Sequence, residues 1–444
     1  MLFRLPRLVW LPLLLAHALA LAWAGRTRTW YFPDTDRYQQ AARNLLAHGQ
    51  LYARPWPARP PEGRAVQEFT IRPPGYPLVL AALGSGGARP VGVLLLQNAL
   101  SLFNLWLVLG WWGRRFRPSP RQWALALGLA LLWPAQLIYA SAVMSEIGLQ
   151  SIVLLLVVLA ARFLKHGRSR HFAGVGLALV AAFMLKPVFF PLAGGLAGAG
   201  MALAWYRRQP RLAVLGLLPA LLALAYMGWN YRRTGDFHFS SISTINLLTY
   251  NAAGVVRQTA GPAAEGRWLD AALAAADAQP SFAARQHLMQ ARAWAVLRAH
   301  PAACLGQQAQ GMAAFFLDPG RFDISQFLRL PPPPGGGLLA QARAGHLAAA
   351  VLRLPWGLLL GLAAVALLNA ARLGLAVRGF RRLGQAGNDL KTARWLALGL
   401  LLYVAALTGP LGAARFLVPV GPLLLGLALV GTGPAAAPAP KPVC

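Results

Sequence analysis

The 444-residue sequence has few charged side chains, very few acidic ones and almost no cysteine. Only 12% of its residues are charged, against about 25% in an average water-soluble domain. That shortage excludes an ordinary cytosolic enzyme. The two cysteines, Cys304 and Cys444, cannot build a disulfide framework. Hydrophobic residues instead make up 57% of the chain and come in long runs, which predicts a membrane protein with many spans.

The apolar runs predict an all-α polytopic protein with about ten transmembrane helices. The runs cover residues 9–24, 90–112, 122–140, 147–164, 172–187, 188–206, 211–229, 347–377, 395–411 and 416–431. The first run also has the pattern of a cleaved signal peptide, and a run at 76–85 is too short to cross. We therefore divide the chain into a first helix (1–24), a first loop (25–89), helices 2–7 (90–229), a second loop (230–346), helices 8–10 (347–431) and a tail (432–444).

The positions of the basic residues predict the orientation in the membrane. The formal net charge is +30, and the basic residues of the short loops cluster on one side, which by the positive-inside rule is the cytoplasm. These are Arg114, Arg115, Arg117, Arg121, Lys165, Arg168, Arg170, Arg207, Arg208, Arg211, Arg378, Arg381, Arg382, Lys391 and Arg394. Both termini should therefore face the cytoplasm and both long loops the outside. We interpret the net positive charge as an anchor that binds the cytoplasmic side of the protein to anionic membrane lipids. No nucleic acid is expected as a partner.

Charged residues near the outer ends of the spans are candidates for a functional site. Eleven of the twelve acidic residues fall at or beyond the predicted outer surface, and only Asp389 faces the cytoplasm. Glu146, Lys186 and Arg415 lie at predicted outer span ends. An ionisable residue beside a span is costly to bury without a partner, and it usually has a function.

The first loop carries two further features of this kind. Tyr38, Ala41, Ala42, Leu45 and Leu46 follow a helical repeat that predicts an amphipathic helix ending at Gly49. Asp34 and Asp36 stand at its start; we expect Asp36 to be an ordinary N-cap and the other carboxylate to be a general base or metal ligand. Arg72 is held in an extended conformation by Pro73 and Pro74. Its planar guanidinium group could bind a phosphate. The alternative is that the side chain only reaches up to the lipid headgroups of the membrane surface.

With these residues in view, the sequence resembles GT-C class membrane glycosyltransferases. More specifically, it resembles glycosyltransferase family 39 and its bacterial relatives, the protein-mannosyltransferase-like and aminoarabinose-transferase-like enzymes. The matching segments, in order, are Pro33-Asp-Thr-Asp36-x-Tyr38, Arg72-Pro-Pro-Gly-Tyr76-Pro-Leu, Ser145-Glu146, Lys186-Pro187, Trp229-Asn-Tyr-Arg232-Arg-Thr-Gly235, Ser243-Thr-Ile-Asn246 and Arg415-Phe-Leu-Val-Pro419. Phe316-Leu-Asp318-Pro-Gly320-Arg-Phe-Asp323 resembles a subset of uncharacterised bacterial members.

The resemblance implies transfer of a sugar from a polyprenyl-phosphate-linked donor to an acceptor (protein, lipid or glycan) outside the bacterial inner membrane. It implies an inverting single displacement with Asp34 as base and Asp36 as a second catalytic candidate. Arg72, Arg415, Lys186 and Arg232 are expected to bind the phosphate, with secondary roles for Glu68, Glu146, Tyr76 and Asn246. No cofactor is certain; two aspartates and a phosphate would also suit Mg²⁺ or Mn²⁺.

Some features depart from the family or leave alternatives open. The characterised relatives are longer after the last span, so their acceptor-binding elements are not carried over. For Glu146, a structural ion pair with Arg72 or Lys186 is as well supported by the sequence as direct contact with the substrate. In the second loop, short helices are expected between residues 263 and 316, with a hinge at 331–337.

Two alternative functions remain open: a transporter or flippase, and a polymerase or ligase of lipid-linked glycans. A transporter would be expected to show internal repeats and broken helices.

Overall fold

The computed structural model of the protein describes residues 6–87, 90–330 and 355–433. The described residues are helical and contain no strand. In chain order the α-helices are α1 Arg7–Thr27, α2 Thr35–His48, α3 Gly75–Ala82, α4 Val91–Phe116, α5 Pro120–Leu131, α6 Pro134–Ala140, α7 Glu146–His166, α8 Ser169–Leu185, α9 Pro191–Arg207, α10 Arg211–Thr234, α11 Ile242–Asn246, α12 Ala253–Ala260, α13 Pro262–Asp277, α14 Phe282–Ala299, α15 Pro301–Leu317, α16 Arg321–Leu328, α17 Trp356–Leu383, α18 Asn388–Thr408, α19 Ala414–Leu417 and α20 Gly421–Gly431. Short 3₁₀ turns lie at Gly63–Phe69, Pro187–Phe189, Gly409–Leu411 and Val418–Val420, and a π-helix at Leu247–Ala252.

The protein is a polytopic membrane protein. In the described part of the chain, eight segments are long and apolar enough to cross a bilayer: α1, α4, α7, α9, α10, α17, α18 and the continuous pair α19–α20. A ninth candidate is α5 with α6, which bends by 55° at its break, and α8 is a shorter apolar helix. These ten segments coincide with the ten apolar runs of the sequence. The hinge at 331–337, residues 347–354 of the eighth run and the tail from 434 lie outside the described residues.

The break between α5 and α6 is filled by a buried arginine. Pro134 opens α6 and cannot continue the helical hydrogen bonding of α5, so carbonyl groups at the end of α5 are left free. Arg372, in α17 and only 2% exposed, donates to the Leu129 carbonyl at 3.0 and 3.1 Å and to the Leu132 carbonyl at 2.9 Å. This intramembrane cation therefore has a structural partner at the kink.

Hydrogen bonds between buried polar side chains connect several of the spans. His17 in α1 and Gln136 in α6 both contact Ser101 in α4, at 2.8 and 2.7 Å. Gln136 and Gln150 exchange hydrogen bonds of 3.0 and 2.9 Å, and Gln150 also donates to the Val418 carbonyl at 2.6 Å. Such bonds stabilise helix association in a bilayer. They fix the start of α7 against the segment that leads into α20.

We call the end of the bundle where α1 ends and α4 begins the loop face. The two long polar segments pack against each other there. The Ser240 hydroxyl donates to the Thr70 carbonyl at 2.9 Å, and the Ser241 hydroxyl donates to the Gln67 carbonyl at 3.1 Å. The His238 ring lies 2.7 Å from the Thr70 hydroxyl. The backbone just before the Pro-Pro pair is thereby held in place.

The predicted amphipathic helix of the first loop is confirmed as α2. It ends at Gly49, whose φ of 66° is the left-handed conformation that glycine adopts without strain. Tyr38, Ala41 and Ala42 are buried, whereas Leu46, at the edge of the predicted stripe, is 67% exposed. The buried face packs α2 against α3 and sets the position of the residues that precede it.

Candidate active site

Five charged side chains from five separate segments meet at the loop face. Asp34 precedes α2, and Arg72 precedes the Pro-Pro turn into α3. Glu146 is the first residue of α7, Lys186 follows the end of α8 in extended backbone, and Arg415 lies in the short helix α19. Glu146, Lys186 and Arg415 lie at or near the ends of membrane segments, and Asp34 and Arg72 lie in the first loop beside them. Groups that are distant in sequence therefore meet at the loop face without crossing the apolar core. We call these five residues the charge cluster.

The charge cluster is one continuous chain of ion pairs. Arg72 Nη2 donates to Asp34 Oδ1, and Arg415 Nη2 donates to Asp34 Oδ2 at 2.7 Å. Arg415 Nε also donates to Glu146 Oε1 at 2.5 Å, and Lys186 Nζ donates to the same oxygen at 2.7 Å. Arg415 therefore bridges the two carboxylates, and Asp34 lies between two guanidinium groups.

Burial makes the balance of charge in this cluster important. The Glu146 side chain is fully buried, and those of Asp34, Arg72 and Lys186 are 16%, 13% and 13% exposed. Three cations and two anions leave a net charge of +1. Buried charges of one sign that are not fully compensated favour the entry of a counter-ion. Two buried atoms, Arg72 Nε and Glu146 Oε2, have no hydrogen-bond partner among the described residues.

Aromatic rings form part of the wall around the cluster. The Arg72 guanidinium lies 5.4 Å from the centroid of the Tyr38 ring, and Lys186 Nζ lies 5.5 Å from that of Phe416. Tyr76, a predicted secondary residue, packs edge-to-face on Tyr38 with centroids 4.8 Å apart and donates to Gln97 at 2.6 Å. Tyr76 thus supports the ring beneath Arg72 and has no hydrogen bond to the cluster.

The surroundings of Asp34 keep it ionised. Burial alone would raise the pKa of this carboxyl, but the positive charges of Arg415 and Arg72 outweigh burial and lower the pKa to about 2. A carboxylate held this way is deprotonated at any physiological pH. It is also a weak base as long as both arginines remain on it, because basicity falls with pKa.

Other predicted site residues lie outside the cluster. Asp36 is exposed, and the expectation that it would be the N-cap of α2 is wrong: Asp34 occupies the N-cap position, and the Thr35 hydroxyl accepts from the Phe32 N–H at 2.9 Å. Neither aspartate caps the helix with its side chain, because Asp34 is drawn to the arginines instead.

Three more candidates do not join the charge cluster. Glu68 is 4% exposed and pairs with Arg37 at 3.3 Å and Arg54 at 3.7 Å, so it holds the first loop together. Arg232 is exposed at the end of α10, and Asn246 is half-buried at the end of α11. Neither residue has a hydrogen bond to the cluster.

The charge cluster does not have the donor set of a divalent-metal site. Mg²⁺ and Mn²⁺ prefer several oxygen ligands around one point. Both oxygens of Asp34, and the Glu146 oxygen that faces it, are already occupied by cationic side chains. The described residues contain no group of three or more histidine, cysteine or acidic side chains arranged to hold a metal. The residues present therefore fit an anion better than a metal ion.

The structure adds neighbours to which the sequence analysis gave no role. Asp323 in α16 is 5% exposed and accepts a hydrogen bond of 2.7 Å from the hydroxyl of the fully buried Tyr139. Burial raises the pKa of Asp323 to about 6. Asp318, before α16, contacts the backbone next to Arg415. The Phe316–Asp323 motif was a signal for this segment, but the sequence did not show what it contacts.

Comparison with known proteins adds a distant likeness to a solved structure. No protein-family model matches the chain, and no curated protein matches it. The chain is similar to the crystal structure of ArnT from Cupriavidus metallidurans in the apo state, with 17% sequence identity, 95% of this chain and 77% of that chain covered, and a TM-score of 0.34. At these values the likeness says nothing about activity, and the chemistry of the site rests on its own geometry.

Proposed function

We propose that the protein is an integral-membrane glycosyltransferase that moves a sugar from a polyprenyl-phosphate donor to an acceptor on the extracytoplasmic side. The proposal rests chiefly on one observation: a carboxylate, Asp34, lies between two guanidinium groups in a buried cluster of net charge +1. A sugar linked to a lipid through one phosphate carries a single negative charge. Such a donor would neutralise the cluster.

The cations of the cluster suit the departing phosphate. In the displacement the bond between the anomeric carbon and the phosphate oxygen breaks, and its electron pair leaves with the lipid phosphate. Arg72, Arg415 and Lys186 would stabilise that growing negative charge, and their fixed positions remove the need for reorganisation during the reaction. Planar guanidinium groups grip phosphate oxygens through two hydrogen bonds each.

Asp34 is the proposed base. As the acceptor oxygen forms its bond to the anomeric carbon, its proton passes to the Asp34 carboxylate, and the configuration at that carbon inverts. Donor phosphate competes with Asp34 for Arg72 and Arg415, so binding of the donor raises the basicity of the carboxylate. The base would thus become effective only when the donor is in place.

The alternatives fit the structure less well. The kinked α5–α6 span is the kind of feature that transporters use, but its free carbonyl groups are occupied by Arg372. The charge cluster lies at span ends, whereas transporter sites lie near the midplane. A polymerase or ligase of lipid-linked glycans would use the same face and differ in its donor.

A transfer assay tests the proposal. Purified protein in detergent is given radiolabelled undecaprenyl-phosphate sugars and host membrane extract as acceptor, and the release of undecaprenyl phosphate is measured. We expect release with a monophosphate-linked donor, loss of release in Asp34→Asn and substantial release in Asp36→Asn. A parallel reaction is given a pyrophosphate-linked oligosaccharide; release of undecaprenyl pyrophosphate there, with no release from the monophosphate-linked donor, would favour the ligase. Full activity of Asp34→Asn would remove the base from the proposal.

A further inference from the structure

The turn between α15 and α16 contacts the backbone that carries Arg415. Asp318 follows the last residue of α15, and Gly320 continues the turn with a φ of 75°. One carboxylate oxygen of Asp318, Oδ1, accepts from the Gly320 N–H at 3.1 Å and closes the turn. The other, Oδ2, accepts from the Ala414 N–H at 2.9 Å, one residue before Arg415.

The short helix that holds Arg415 has little internal hydrogen bonding of its own. Ala413 is extended, and α19 is only four residues long, so it has too few internal hydrogen bonds to orient itself. The charge-assisted bond from Ala414 to Asp318 supplies an external fixed point at its first residue. Arg415 follows directly, with both Asp34 and Glu146 within its reach.

Asp318 is itself held by a transmembrane helix. Its backbone carbonyl accepts from Asn369 Nδ2 at 3.0 Å, and Asn369 Oδ1 accepts from Arg372 at 2.5 Å. Asn369 and Arg372 are 6% and 2% exposed. Asp318 is therefore connected through buried side chains to α17 and to the α5–α6 kink.

Close backbone packing between α15 and the turn before α19 supports the same arrangement. A Cβ atom at Gly311 in α15 would collide with the backbone of Gly409, and one at Gly412 would collide with the backbone of Gly311. The two segments thus touch backbone to backbone, with no side chain between them. Asp318 lies at the end of α15 and adds a polar contact to this packing.

We infer that Asp318 is a positioning residue that aims Arg415 at the donor phosphate. This inference rests on the proposed function, because it assumes that Arg415 binds the phosphate. Asp318 does not touch the substrate; it fixes the backbone from which the guanidinium extends. Removal of the Asp318 carboxylate should leave the net charge of the five-residue cluster unchanged but weaken the binding of the donor phosphate by Arg415.

A double-mutant cycle on undecaprenyl phosphate binding tests the inference. The dissociation constant is measured in detergent for the wild type, Asp318→Ala, Arg415→Gln and the double variant. We expect Asp318→Ala to weaken binding about tenfold, the range of one charge-assisted hydrogen bond, and to have no further effect in the Arg415→Gln background. Asp318→Asn, which keeps one acceptor oxygen, should fall between the wild type and Asp318→Ala.

Glu265→Gln serves as the matched control, because it removes a carboxylate that is paired with Arg257 at 2.5 Å and lies outside the charge cluster; its binding should equal that of the wild type. Additive losses in the cycle, or normal binding by Asp318→Ala, would overturn the positioning role. If Arg415→Gln binds undecaprenyl phosphate as the wild type does, the phosphate assignment of the proposed function fails, and the role of Asp318 fails with it. The two failures are therefore distinguishable.

Discussion

Replacement of Glu146 by glutamine separates two effects that the charge cluster combines. Glu146 is fully buried, and its Oε1 accepts from both Lys186 and Arg415. The amide keeps the shape and one acceptor oxygen but removes the negative charge, so the net charge of the cluster changes from +1 to +2. Breaking a buried ion pair from one side costs about 3–5 kcal/mol. We expect the free energy of unfolding of Glu146→Gln to fall by about 3 kcal/mol.

Binding of a lipid phosphate should change in the opposite direction. A unit charge about 8 Å from the phosphate, at an effective dielectric constant of about 20, contributes about 2 kcal/mol, or about thirtyfold in affinity. Loss of the Glu146 charge removes that repulsion. Glu146→Gln should therefore be less stable than the wild type but bind undecaprenyl phosphate more tightly. Product release should slow accordingly, and kcat should fall.

Thermal unfolding in detergent, with and without undecaprenyl phosphate, measures both effects in one experiment. Glu68→Gln is the matched control, because Glu68 is also a buried acid paired with arginines but lies outside the charge cluster. It should lose stability without gaining affinity for the lipid. If undecaprenyl phosphate stabilises Glu146→Gln no more than the wild type, the proposed charge complementarity is refuted.

Three further predictions follow from the geometry. Arg72→Gln and Arg415→Gln should each raise the KM for the donor tenfold or more, as expected for the loss of a hydrogen bond to a charged group, about 1.5–3 kcal/mol. The pKa of Asp323 is raised from 3.8 to about 6, so its ionisation destabilises the fold as pH rises, and Asp323→Asn should gain about 3 kcal/mol above pH 6 and nothing near pH 4, measured as Tm against pH. In intact cells, a membrane-impermeant maleimide should label Cys304 and not Cys444; the reverse pattern would invert the proposed topology.

Much of the fold could be predicted from hydrophobic periodicity and length. In the described part of the chain, the apolar runs correspond to eight helices long and apolar enough to span a bilayer, to the bent pair α5–α6 and to the shorter α8, because a bilayer demands about twenty apolar residues per helix. The α2 stripe and its end at Gly49 follow from helix geometry alone. The kink at α5–α6 was missed: Pro134 marks the break, but the arginine that fills it, Arg372, lies more than two hundred residues away.

The sequence indicated which residues belong to the charge cluster better than it indicated which of them pair with each other. Asp34, Arg72, Glu146, Lys186 and Arg415 stand out in the sequence because charge is scarce and costly beside a membrane span. Their hydrogen bonds depend on how distant segments pack together, and local sequence patterns do not show that packing.

The errors and omissions in the site have the same origin. Asp36 appeared to suit a helix cap by its position, but neither of the two aspartates caps α2. Arg232 was chosen from its motif and lies exposed. Asp318 and Asp323 were noticed as part of a motif, yet their contacts join segments that are far apart in sequence.

The central claim is that Asp34 accepts the proton of the acceptor while the arginines beside it hold the donor phosphate. Single-turnover transfer and donor binding by Asp34→Asn test it most directly, with a radiolabelled undecaprenyl-phosphate sugar as the probe. The account predicts that the variant binds the donor at least as tightly as the wild type and transfers sugar 10²–10⁴-fold more slowly, roughly the contribution of one positioned base. Transfer at the wild-type rate, or loss of donor binding, would contradict it.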